Sequence, residues 1–238
     1  MFDTIILLTG PVEETVLASV LRQHNPALEL RSVKSDAELE ALTPAVLARA
    51  RLIGFVTPVI VPKRILDTLG YGAYNFHPGP PHYPGWLPSH FAIYDGATDF
   101  GVTAHVMHER VDSGPIVGVV RFEVPPNSTV EGLERMALTA LARLFWNFSG
   151  LLAQPEPLIA LDVAWSGRRT TRRKYAALCE ITAEISRDEL ERRIGVFGAG
   201  HFGLAPTITL HGRQFRYVAE APSVAPEQAE PSRAATSP

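Results

Sequence analysis

"RLIGFVTPVIVPKRILDTLGYGAYNFH", residues 51–77, decides the fold. It opens on "RLIGFVT", a short continuous apolar run of the kind a buried parallel strand shows. "PKRILDTLG" then reads as a helix begun on Pro62 and stopped at Gly70, and "GAYNF" as the next strand. Working outward, "TIILLTG" is a first strand closed by Gly10, and "VEETVLASVLRQH" repeats apolar residues at helical spacing. "LELRSV" reads as a second strand, and "DAELEALTPAVLARA" as a helix broken near Pro44. Strands alternating with helices predict an α/β chain: a Rossmann-like, mostly parallel twisted sheet with helices on both faces, joined by right-handed crossovers. Ligands of such sheets bind beyond the carboxyl ends of the strands. Asn75 and His77 stand at such an end, and their spacing of two puts both side chains on one side of an extended segment, free to converge on one atom.

Beyond residue 77 the backbone is made irregular by four prolines and two glycines in "PGPPHYPGW". "SHFAIYDG" then looks helical, "GVTAHVMHERVDSGPIVGVVRFEV" looks like two strands joined through Asp112–Pro115, and "TVEGLERMALTALARLFWNFSGLL" carries the longest helical pattern. The first domain is expected over 1–155. A small C-terminal α+β unit is expected over 156–218, with one helix, "SRDELERRIGVF", and a hairpin, "TITLHGRQFRYV". Residues 219–238 lack aromatics, are rich in Pro, Ala and Ser, and read as a disordered tail.

Composition narrows the function. The chain has 238 residues and a net charge of −3, so no excess of basic residues points to nucleic acid or to an anionic membrane. The single cysteine, Cys179, cannot form an intrachain disulfide, and "MFDTIILLTG" has neither a basic leader nor a run long enough to span a bilayer. A cytoplasmic setting is expected, with a homodimer allowed.

Some signals fail on context. "GAGHFG", Gly198–Gly203, spells a dinucleotide fingerprint but follows a helical pattern rather than a strand. Five histidines fall between residues 77 and 108, yet His105 and His108 are three apart in a strand-like stretch and point to opposite faces, so no metal is expected. "SGRRTTRRKY" reads either as a solvated basic surface or as a face for a phosphate-bearing substrate. Trp86 and Trp165 offer rings for stacking, although a tryptophan is more often structural.

Asp112, in the turn "VDSG", reaches the same sheet edge as Asn75 and His77 if their strands are neighbours. An amide, an imidazole and a carboxylate suit acyl-type transfer: two donors for an oxyanion and a carboxylate to manage protons. With no serine or cysteine in a nucleophile elbow, direct attack by the substrate is favoured over a covalent intermediate. The same three residues would otherwise be two turn caps and a structural histidine.

At Asn75-Phe76-His77, "GWLPSHFAIYDG" (85–96) and "GVTAHVMHERVDSGPI" (101–116), the chain resembles the folate-dependent formyltransferase family. Its members include glycinamide ribonucleotide transformylase, methionyl-tRNA formyltransferase and the sugar N-formyltransferases. The resemblance is strong over 50–120 and extends from residue 1 to about 155. It implies a one-carbon transferase that moves the formyl group of 10-formyltetrahydrofolate to an amine. In that reading Asn75 and His77 stabilise the oxyanion, and Asp112 holds His77 charged and shuttles the proton. The folate would lie against Val59, Ile60, Val61 and Pro62 and against His108, Glu109, Val111 and Asp112.

Departures from the family bear on the acceptor. "PGPPHYPG" is one residue shorter than the usual loop, with Pro84 where an arginine stands. The first β-α turn, "TGPVEE", lacks a Gly-Ser-Asn phosphate loop, and Glu13 and Glu14 would repel a phosphate there. These features disfavour glycinamide ribonucleotide, and the short C-terminal unit disfavours tRNA. The expectation is a small-molecule amine, first of all a nucleotide-linked amino sugar, touched by His82, Tyr83, Trp86, Arg168 and Arg169. The alternatives are a formyl-folate hydrolase, a hydrogenase-maturation-like formyl-handling enzyme, methionyl-tRNA formyltransferase, or a folate-binding protein without turnover.

Overall fold

A computed structural model of the chain describes residues 1–166 and 169–218. In chain order the elements are β1 (Thr4–Leu8), α1 (Pro11–His24), β2 (Glu29–Val33), α2 (Asp36–Glu40), α3 (Pro44–Leu47), β3 (Ala50–Phe55), α4 (Lys63–Leu66), β4 (Ala73–His77), α5 (Pro88–Asp95), β5 (Asp99–Val106), β6 (Ile116–Glu123), α6 (Val130–Leu152), α7 (Arg172–Cys179), β7 (Glu180–Ile181), α8 (Arg187–Phe197), β8 (Thr207–Leu210) and β9 (Arg213–Arg216). Six strands form one mixed sheet in the order β2-β1-β3-β4-β5-β6. The first four are parallel, and β5 and β6 run antiparallel to their neighbours.

The sheet is buried on both faces, as the unbroken apolar strands require. Ile6 and Leu8 pack with Val33, Leu39, Leu47, Leu52 and Ile65 on one face. On the other, Phe145 of α6 stands edge-on to Phe55 and Phe76. Helix α6 fits that face because Leu133, Ala137, Ala140, Leu141, Leu144 and Phe145 recur every three or four residues. Thr129 starts it by accepting from Gly132 N at 3.1 Å. Among the described residues no helix is long and apolar enough to cross a membrane.

The end of α6 is held by a buried charge. The Arg51 side chain, in β3, is fully buried and donates to the carbonyls of Tyr71, Leu151, Leu152, Gln154, Pro155 and Glu156, at 2.6–3.2 Å. Its guanidinium also lies 5.2 Å from the Phe2 ring centre and 5.4 Å from that of Tyr74. The final carbonyls of a helix have no partner of their own and favour a cation, so Arg51 caps α6 from the sheet.

By internal contacts the chain divides into Met1–Leu178 and Cys179–Pro238. The sequence pattern puts the start of the second unit at 156, whereas the segment that follows α6 bonds back into the first: Leu158 N donates to Tyr74 Oη at 2.9 Å, and Thr170 N to Pro84 O at 2.7 Å. Helix α7 and the short β7 have no clear sequence pattern; α7 lies where the sequence shows mainly clustered charge. Within the second unit, Ser186 caps α8, and β8 and β9 form the expected hairpin, turning on His211 and Gly212, both with positive φ. The stretch Gly198–Gly203 links α8 to β8 and so has no dinucleotide-binding context. The expected tail, 219–238, lies outside the described residues.

Candidate active site

β4 and β5 pair antiparallel with Asn75 opposite His105 and His77 opposite Thr103. Directly opposed residues on one face of a sheet bring their side chains together. Asn75 Nδ2 lies 3.2 Å from His105 Nε2, and the same ring nitrogen lies 3.1 Å from Asp112 Oδ1. The other carboxylate oxygen, Asp112 Oδ2, is 3.5 Å from His77 Nδ1. An amide, two imidazoles and a carboxylate thus form one continuous cluster, in which only Asn75 keeps appreciable exposure.

The remaining contacts fix its state. His105 Nδ1 donates to the Val106 carbonyl at 2.8 Å. Its Nε2 is therefore an acceptor for Asn75 when the ring is neutral, and a donor to Asp112 when the ring is protonated. Burial alone would raise the Asp112 pKa; the His77 charge, the His105 hydrogen bond and the Gly85 N–H outweigh it and bring it down to about 2. Gly85 N donates to Asp112 Oδ2 at 2.7 Å. Asp112 is accordingly a carboxylate at neutral pH.

His77 is drawn two ways. Its Nε2 faces the Tyr83 carbonyl at 3.0 Å and its Nδ1 faces Asp112, and two acceptors favour a proton on each nitrogen. Complete burial outweighs both and holds its pKa below the ordinary histidine value.

The loop 78–86 is tied to this cluster through its backbone. Gly79 passes so close to His77 Nε2 that a Cβ there would meet the ring. Tyr83 turns its side chain inward and donates its hydroxyl to Asp95 Oδ2 at 3.0 Å, so it presents its carbonyl, not its ring, to the site. His82 lies against the Tyr83 ring, 4.0 Å from Asp99. Trp86 packs on Tyr175 with ring centres 5.3 Å apart. Arg169 Nη2 reaches the Asp112 carbonyl at 3.4 Å; Arg168 lies outside the described residues. Among the expected acceptor contacts, Arg169 thus reaches the cluster by its side chain.

Two further residues complete the site. Trp165 stands edge-on to His105 (5.1 Å) and near His77 (6.0 Å), and is anchored through Nε1 to the Gly114 carbonyl at 2.8 Å. In the sequence Trp165 offers a ring for stacking, and His105 stands out only through its spacing from His108. The signal that could have found His105 is its placement in "GVTAHV", in register with Asn75 once β5 is paired with β4.

An open cleft of about 850 Å³ adjoins the loop that carries Asp112, lined by Lys63, Leu66, Asp67, Gly72, Ala73, Val106–Arg110 and Ser113. Among the described residues, no main-chain N–H from His108 to Gly114 donates to a main-chain carbonyl. His108, Glu109, Arg110 and Ser113, which line the cleft, thus carry N–H groups without main-chain partners, suited to the polar edge of a heterocycle such as a pterin. The expected folate contacts are divided: His108 and Glu109 line the cleft, and Val111 is exposed. Val61 is buried in the core with Val59 packed against it, whereas Ile60 is 62% exposed, leaving Pro62 as the residue that caps α4.

An amide–imidazole–carboxylate cluster at the edge of a mixed α/β sheet, with a cleft beside it, suits acyl-type transfer. The formyl transferase family model matches residues 21–145, more than half of the chain, and the protein belongs to that folate-dependent family, whose members use formyl-folate donors. It is 27% identical over 234 residues to the methionyl-tRNA formyltransferase of Bacillus subtilis (strain 168), covering 95% of this chain and 68% of that protein. It spans 34–50% of the length of other methionyl-tRNA formyltransferases that it matches. In fold it is similar to a sugar N-formyltransferase from Shewanella sp FDAARGOS_354, with TM-score 0.69 at 18% identity, covering 94% of this chain and 100% of that one. It is also similar to an N-formyltransferase from Helicobacter canadensis solved with folinic acid and dTDP-3-aminofucose, with TM-score 0.61 at 15% identity, covering 83% and 81%.

Proposed function

We propose that the protein is an N-formyltransferase that moves a formyl group from 10-formyltetrahydrofolate to the amino group of a small metabolite, a nucleotide-linked amino sugar being the favoured acceptor. The observation that carries the reading is the Asn75–His105–Asp112–His77 cluster beside a cleft whose wall has N–H groups without main-chain partners. When bound, the folate supplies the formyl carbon on a nitrogen leaving group. The loop from His108 to Asp112, with the segment from Val59 to Pro62, would hold the pterin, largely by main-chain groups.

The chain's own groups divide the work. As an amine adds to the formyl carbon, the carbonyl oxygen gains negative charge. Asn75 spends one amide hydrogen on His105 and has a second to give that oxygen. His77 supplies the other donor once its Nε2 turns from the Tyr83 carbonyl. Asp112, ionised and held by Gly85, takes the proton released by the amine and returns it to the departing folate nitrogen as the carbon–nitrogen bond breaks. His105, whose Nε2 can accept from Asn75 or donate to Asp112, positions the carboxylate and can carry that proton between them.

A second reading, formylation of methionyl-tRNA, is favoured by the names of the sequence relatives. The basic run between Arg169 and Lys174 suits either a tRNA phosphate or a nucleotide diphosphate. Tetrahydrofolate release from 10-formyltetrahydrofolate separates the readings. Release that requires a nucleotide-linked amino sugar supports the first, and release that requires charged tRNA the second. Release without any amine indicates a hydrolase, and tight folate binding without release indicates a binding protein.

A further inference from the structure

The segment that follows α6 returns across the site, and its main chain is tied down at several points. Leu161 N donates to the Ile116 carbonyl at 2.7 Å, Ser166 N to that of Pro81 at 3.0 Å, and Thr170 N to that of Pro84 at 2.7 Å. A proline has no N–H but keeps its carbonyl, so the proline-rich loop offers these acceptors without donors of its own at the same residues. Trp165 is thereby set against the cluster. Its ring centre lies 5.1 Å from that of His105, with the two planes nearly perpendicular, and 6.0 Å from that of His77. The one polar group of the ring, Nε1–H, donates to the Gly114 carbonyl at 2.8 Å. What the ring presents to the two imidazoles is apolar bulk. His77, His105 and Asp112 keep only 4%, 2% and 4% of their surface exposed.

Neither the amide, the imidazoles nor the carboxylate distinguishes an amine from water. Water's oxygen can add to the formyl carbon as an amine nitrogen does, and Asp112 can take the proton from either. The carbon–nitrogen bond then breaks with its electron pair on the folate nitrogen, that nitrogen takes the proton back, and formate leaves in place of the formylated amine. The donors that stabilise the oxyanion serve both reactions alike. Selection for the amine therefore needs water kept away from the cluster, which is a task for apolar surface rather than for another polar group. We infer that Trp165 is a specificity residue of the site, whose ring closes the cluster to water so that the formyl group passes to an amine. This rests on the transfer reading and gives it a physical boundary, because a transferase and a hydrolase built on this cluster differ by whether water reaches it.

Formate release from 10-formyltetrahydrofolate, measured with no amine present, tests this. The wild type should release formate slowly, and Trp165→Ala about 10- to 100-fold faster, the range over which the placement of a reacting group alters rates. Trp165→Phe, which keeps an aromatic ring and loses the Gly114 bond, should show a smaller rise. Trp146→Ala, on the exposed side of α6, is the control and should match wild type. If Trp165→Ala does not fold, Trp165→Leu should still release formate faster than wild type. No rise in the Ala or Leu variant overturns the inference, and equal rises in Phe and Ala assign the effect to the Gly114 bond and overturn the role of the ring. A second reading needs no turnover: the pKa of His77, followed through its ring-nitrogen resonances. Burial holds that pKa down, Asp112 and the Tyr83 carbonyl oppose it, and His105 and Arg169 act with burial. Water admitted by Trp165→Ala should raise it towards about 6.5, and an unchanged or lower value contradicts the closure. Rapid formate release by the wild type without amine refutes the transfer reading and this inference with it. Amine-dependent turnover in the wild type, with no faster formate release in Trp165→Ala, refutes the inference alone.

Discussion

Gly85 donates its main-chain N–H to Asp112 Oδ2 at 2.7 Å, so the proline-rich loop and the carboxylate of the site are set by one hydrogen bond. Gly85 can do this because it sits at φ +107°, with Thr170 forming a parallel bridge to it. Trp86 N and Thr170 N extend that bridge on either side. The loop that departs most from its family is therefore built into the cluster through its backbone.

Replacing Gly85 by alanine would drive a Cβ into the Thr170 carbonyl and force a backbone conformation that L-residues avoid. Strain of this kind costs about 1–3 kcal/mol. Urea denaturation of Gly85→Ala should show that loss, and turnover should fall with it as the Asp112 contact lengthens. An alanine variant with unchanged midpoint and turnover would show that the bond is incidental.

Acid should weaken the protein in two windows. His77 has a depressed folded pKa, so below about pH 6.5 the unfolded chain takes up a proton that the native state refuses, and stability declines as pH falls. Asp112 acts lower: its carboxylate contributes above its unfolded value of 3.8, and that contribution, on the order of 2 kcal/mol, is lost as pH falls towards about 2. Denaturation curves recorded from pH 8 to pH 2 should lose the lower window in Asp112→Asn and keep the upper. A single window common to both proteins would contradict the assignment.

Much of the frame was legible from local pattern. The apolar runs of β1 and β3 and the spacing of Asn75 and His77 report period and burial, which neighbours along the chain determine. His105 was not legible as a partner of Asn75, because the pairing of β4 with β5 is antiparallel and its register is set by contacts thirty residues apart. Arg51 was hidden for the same reason, since five of its six carbonyl partners lie a hundred residues or more away. The side-chain direction of Tyr83 depends on Asp95 and cannot be read from a proline-rich string.

His105→Phe keeps a ring beside Trp165 and removes both nitrogens. Asn75 Nδ2 and Asp112 Oδ1 then each lose a partner within the site. A carboxylate displaced by a fraction of an ångström should lower kcat by about 10- to 100-fold while the folate KM stays near wild type. Equal changes in both constants would assign His105 to folate binding instead.

Arg51→Leu should leave carbonyls at the end of α6 without a donor and cost at least about 3 kcal/mol. The urea midpoint should drop accordingly, whereas turnover per folded molecule should hold, because Arg51 contacts no residue of the cluster. A midpoint equal to wild type would mean that water or a rearranged chain end replaces all six bonds.

The rate of tetrahydrofolate formation from 10-formyltetrahydrofolate, with and without an amine acceptor, in wild type and Asn75→Ala tests the central claim most directly. The predicted result is amine-dependent turnover that falls by roughly 10²–10³ in Asn75→Ala, with folate affinity unchanged, as expected for the loss of one oxyanion donor. Undiminished turnover in Asn75→Ala, or release that ignores the amine, would contradict it.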